Sequence, residues 1–223
     1  MVRKQTLKEI RGIGEVLLVS YLLIVVVIAF CRAVFGFPTV EQLASSPALL
    51  AHGEWWRLAT SALVIDGPPL PQVAAIAVLG ALTIYFGGSG TFWLTALAGH
   101  VFATLLAYLG VAGIWLADRA AAVHLMADPD YGVSLIWCAA LGAFAAMSWL
   151  GARGQWRKPV RPELTVLSIV ILAVVTYFSD EMAAVQHVLA FGVGVAIIAT
   201  ADRSRLLHRT RQPLWAPRAS VRR

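Results

Sequence analysis

Uncharged apolar runs as long as a bilayer is thick constrain this chain more than any other feature. A helix needs about 20 apolar residues to cross the hydrocarbon, within a range of roughly 17–25. Six segments meet or approach that length: about 13–36, 71–88, 91–116, 132–151, 164–179 and 182–201. The second and fifth are the weakest, cut short by Pro71 and Pro162. The break Gly87-Gly88-Ser89-Gly90 separates the second from the third, because one helix over 71–116 is far too long to span once. Only 13% of the residues are charged, against roughly a quarter in soluble domains. The chain is therefore predicted to be an all-α membrane protein, with one six-helix domain over 1–201 and a basic tail over 202–223.

The charges between the runs test that count. Arg3, Lys4, Lys8 and Arg11 precede the first segment, Arg153, Arg157, Lys158 and Arg161 follow the fourth, and seven arginines from Arg203 to Arg223 follow the sixth. With six crossings all three clusters fall on one side, which the positive-inside rule makes cytoplasmic. The opposite side receives Glu41, Glu54, Asp66, Asp118, Asp128, Asp130, Asp180 and Glu181, with Arg57 and Arg119 as its cations. Five or seven crossings break this segregation. Both termini are therefore expected to be cytoplasmic.

The same placement argues against nucleic acid as a partner, although the net charge is +6. The tail over 202–223 can instead lie on anionic lipid headgroups, at about 1 kcal/mol per basic residue, or act only as a topology anchor. Cys31 and Cys138 lie inside apolar runs and form no CxxC or Cys/His cluster, so no metal, cofactor or disulfide is expected. The first run is too long for a signal-peptide core and reads as a retained helix. Between the first two segments, 38–70 holds Leu49, Leu50, Trp55, Trp56, Leu58 and Leu63, too apolar for a solvated linker. Short amphipathic helices at the outer interface are expected there.

Two polar residues in the apolar runs carry chemistry. Ser134 lies near the start of the fourth segment and His187 about five residues into the sixth. Both segments enter from the outer side. At 1.5 Å rise per residue, the two therefore sit within about 7 Å of one depth. Ser134, Cys138, Gly142 and Ala146 form a small-residue stripe, as do His187, Ala190 and Gly194. Such stripes let helices approach closely in lipid. A serine hydroxyl becomes nucleophilic when a base takes its proton, and histidine is the usual base. A helix N-terminus beside Ser134 offers N–H donors to an oxyanion, and Gly132 leaves room for a substrate backbone. A lone serine in such a helix is ordinarily a packing residue; an intramembrane histidine is more often functional. His100 and His124 compete for that role, and His100 reads as a hydrogen-bonder between helices.

Trp56-Arg57-Leu58-Ala59-Thr60-Ser61, Gly132-Val133-Ser134, and His187 with Ala190 and Gly194 together resemble the rhomboid family of six-helix intramembrane serine proteases, over almost the whole chain. The resemblance implies Ser134 as nucleophile, His187 as general base, and a transmembrane protein as substrate. It also has departures. Leu135 follows the serine in place of a small residue, and Cys138 stands where the family has an aromatic packed on the histidine. Counting back from Gly80, the oxyanion-holding histidine and asparagine are replaced by Pro68 and Gln72, and Ile84 replaces an acidic residue. Gln72 is then the expected oxyanion support, together with the backbone near Ser134. The alternative is a catalytically silent member that binds transmembrane helices. A transporter or channel is weaker, with no inverted repeat or intramembrane carboxylate.

Overall fold

The computed structural model of the chain describes residues 2–65, 67–153 and 161–210, with side chains from 12 to 202 apart from Ala152. Asp66, Arg157, Lys158, the N-terminal basic side chains and the arginines from Arg203 onward lie outside the described side chains. The helices are α1 (Val2–Phe35), α2 (Val40–Leu43), α3 (Pro47–Ala51), α4 (Arg57–Ser61), α5 (Pro69–Gly87), α6 (Ser89–Ala117), α7 (Arg119–Ala127), α8 (Val133–Ala152), α9 (Glu163–Tyr177) and α10 (Glu181–Thr210). Among the described residues no β-strand forms, only an isolated bridge between Ser45 and Asp130.

Among the described residues, five helices are long and apolar enough to cross a membrane: Gly12–Phe35, Pro69–Gly87, Ser89–Ala117, Val133–Gly151 and Glu181–Asp202. They fall on five of the six expected segments, and Gly88 at φ 95° makes the predicted break between α5 and α6. The sixth does not meet the length criterion. α9 has 15 residues, about 22 Å of helix against a hydrocarbon core of about 30 Å. Pro162 opens it and the turn at Phe178 and Ser179 closes it. Its surface is nonetheless apolar, with Val166, Leu167, Ile169, Val170 and Val174 exposed.

α8 occupies the centre: 78% of its most apolar window is buried, against 22–39% in the other four spans. Small residues make this possible. A Cβ on Gly142 would collide with the Phe191 backbone of α10, and one on Gly194 with the backbone of Ala139 and Ala143 in α8. One on Gly99 of α6 would collide with the Ala139 side chain. The predicted stripes are thus places where helix backbones nearly touch, which is how packing replaces the hydrophobic effect in lipid.

The segment over 38–70 forms α2, α3 and α4, as expected. They gather at the end of the bundle where α1 and α6 finish and α5, α8 and α10 begin. Arg57 holds them together. It pairs with Glu54 at 2.5 Å, donates to the carbonyls of Glu41 and Ala44, and lies over the Trp56 ring. Thr60 Oγ1 donates to Leu43 O at 2.7 Å. One cation at this end was not counted in the sequence reading. Arg32, in the last turn of α1, donates to Ile65 O at 2.9 Å.

Candidate active site

The short helix α4 sets the position of the α8 N-terminus. Ser61 O accepts from Gly132 N at 2.9 Å, and Leu58 O accepts from His100 Nε2 at 2.7 Å. His100 thus ties α6 to α4, the structural role expected of it. Its ring also fills the space beside Gly132, where any Cβ would overlap it. The close approach of the His100 ring thus requires a glycine at 132. His124 lies exposed on α7.

Ser134 stands in the first turn of α8, whose N–H groups are not all consumed within the helix. Its Oγ donates to Tyr131 O at 3.3 Å, and the side chain is half-buried. His187, one and a half turns into α10, is 4% exposed. Its Nδ1 lies 3.2 Å from Ser179 Oγ, and its Nε2 is buried without a hydrogen-bond partner. The serine–histidine hydrogen bond expected from sequence is therefore not made. Both residues instead line one cavity of about 190 Å³, with Gln72, Asp128, Asp130, Ser179, Asp180 and Gln186. Catalytic hydrogen bonds are commonly loose before substrate binds, and a hydroxyl needs only a χ1 change to leave a long bond to its own turn.

Trp137 packs beside His187. Its ring lies 6.2 Å from the His187 ring at a 31° tilt, and its Nε1 donates to Gln72 Oε1 at 3.4 Å. Cys138 is buried. Gln72 lines the same cavity from the first turn of α5. Leu135 is fully buried in the core.

Gln186 and Asp130 carry no sequence signal that singles them out, yet both face this cavity. The Gln186 amide nitrogen is buried without a hydrogen-bond partner, though near enough to the Asp130 carboxyl to favour its charge. Asp130 Oδ2 accepts from Thr104 Oγ1 at 3.1 Å and Tyr108 OH at 3.3 Å, with Ser45 Oγ at 3.5 Å. This carboxyl joins the outer segment, α6 and the start of α8, four residues before Ser134. Burial pushes it above the usual carboxylate range, and the nearby His100, the Thr104 and Tyr108 hydroxyls and the Gln186 amide only partly offset that. Burial also raises Asp128, helped by the charge of Asp180.

A group that binds its proton more tightly when folded favours the fold at low pH. Asp130 should therefore lower stability as pH rises from the ordinary carboxylate value through its raised one. Asp130→Asn, which keeps an acceptor oxygen, is expected to flatten that fall in a thermal-unfolding series against pH in detergent. An unchanged slope contradicts it.

Among the described residues no cluster of three or more metal-ligating side chains forms. No protein-family model matches the chain, and no curated protein matches it significantly.

Proposed function

We propose that this chain is a rhomboid-like intramembrane serine endopeptidase. It hydrolyses a peptide bond in or beside a transmembrane segment of a protein substrate. One observation carries the reading: Ser134 and His187, from two different spans, line a single cavity, and the His187 nitrogen Nε2 is buried with no hydrogen-bond partner. Ser134 Oγ attacks the scissile carbonyl as its proton passes to His187 Nε2. The tetrahedral oxyanion is held by N–H groups at the α8 N-terminus and the amides of Gln72 and Gln186. The imidazolium then protonates the leaving amine, and water repeats the cycle on the acyl-enzyme. In this reading α9 is a sixth crossing, short enough to thin the bilayer around it. The termini are cytoplasmic, the cavity opens toward the outer face of a bacterial plasma membrane, and no cofactor takes part.

A fluorophosphonate probe tests the nucleophile directly. Wild-type protein in micelles should label, and Ser134→Ala should not. A second reading, a silent member that binds transmembrane helices, is favoured by the bond from Ser134 to Tyr131 O. Absence of labelling and cleavage in wild type, with retained binding of a transmembrane peptide, would select it.

A further inference from the structure

We infer that Ser179 is a positioning residue, which fixes the tautomer of His187 so that its free lone pair lies on Nε2. This rests on the dyad reading, but its geometry is independent of it. Ser179 lies two residues beyond the end of α9, in the turn that leads into α10. A serine hydroxyl has one proton to donate and two lone pairs. Ser179 Oγ is 2.8 Å from Val175 O, and a carbonyl oxygen can only accept, so the proton goes there. The same Oγ lies 3.2 Å from His187 Nδ1 and meets it with a lone pair. Neutral imidazole carries one N–H, and a contact between two lone pairs is repulsive, so Nδ1 holds the hydrogen.

Nε2 is then the unprotonated nitrogen. It is the one buried without a partner in the residue that shares the cavity with Ser134. In the other tautomer Nε2 carries a hydrogen and cannot take the serine proton. A backbone carbonyl thus orients a hydroxyl, and the hydroxyl orients the base, where other hydrolases use a carboxylate. As Ser134 Oγ bonds to the scissile carbonyl carbon its proton moves to Nε2, while the Nδ1 hydrogen stays on Nδ1, donated to Ser179 Oγ, and the Nε2 proton then leaves with the amine.

The test uses full-length protein with ¹⁵N-labelled histidine in micelles. The His187 signals are assigned by their loss in His187→Gln, which separates them from the other four histidines. Wild type should show a protonated Nδ1 and an unprotonated Nε2. Ser179→Ala should move the signals toward the other tautomer or a mixture, and Ser179→Thr should keep the wild-type pattern. On a transmembrane reporter, Ser179→Ala should lower kcat by about 10–100-fold, with KM changed less than about twofold, and Ser179→Thr should restore it. A protonated Nε2 in wild type, or a tautomer and kcat indifferent to Ser179→Ala, overturns the inference. The expected tautomer pattern in a wild type that neither cleaves nor labels leaves the hydrogen-bond assignment standing and overturns proteolysis.

Discussion

Ser134→Ala and His187→Ala should each reduce cleavage of a transmembrane reporter in proteoliposomes by about 10⁴-fold or more, and the double variant should be no worse than either single one. The magnitude follows from the roles. Without Oγ there is no acyl-enzyme, and without Nε2 the hydroxyl keeps its proton, so each change removes the same covalent route. Non-additivity is the stricter part, since two independent contributions would multiply. Neither change should unfold the protein. Ser134 is half-buried and bonded only to its own turn. His187→Ala removes a ring stacked near Trp137 and leaves Ser179 its bond to Val175 O. A fold check by thermal unfolding therefore accompanies the rate. Cleavage that survives either single change removes the dyad.

The apolar spans were legible because they rest on run length, a quantity a sequence states outright. The five long spans, the short helices over 38–70 and the α8–α10 contact all follow from apolar run length, tryptophan placement and small-residue spacing. α9 was harder, because apolar character continues past the point where its helix ends at Tyr177. The pairing of Ser134 with His187 in one cavity was legible in depth and face. Their hydrogen bond was not, because it depends on one hydroxyl rotamer.

The surroundings of the site were the least legible part. Trp137 reaches His187 across two helices, and Asp130 meets Ser45 from the segment between α2 and α3 and Thr104 and Tyr108 from α6. Sequence spacing reports neighbours along a helix, not across a bundle. The side chain that fills the space beside Gly132 comes from His100, 32 positions away.

Gly142→Ala and Gly194→Ala should both destabilise the protein and impair the site, although intrinsic helix propensity predicts the opposite. In an exposed helix, alanine is favoured over glycine by up to about 1 kcal/mol. Here the added Cβ meets backbone, Phe191 from Gly142 and Ala139 with Ala143 from Gly194. Backbone cannot rotate aside as a side chain can, so α8 and α10 must separate. Overpacking of this kind costs typically about 1–3 kcal/mol, which outweighs the propensity gain. The two crossing points lie seven or eight residues past His187 and Ser134 along their helices, so a separation there is carried to the cavity. A displacement near 1 Å can cost about 10² in rate, and kcat/KM should fall by that order while fluorophosphonate labelling slows in parallel. Gly192→Ala is the internal control, on the same helix with open space around its Cβ. It should be neutral or slightly stabilising and fully active. If Gly142→Ala and Gly194→Ala behave like Gly192→Ala, the two helices do not pack backbone to backbone, and close approach no longer explains how the serine and histidine come to share one cavity.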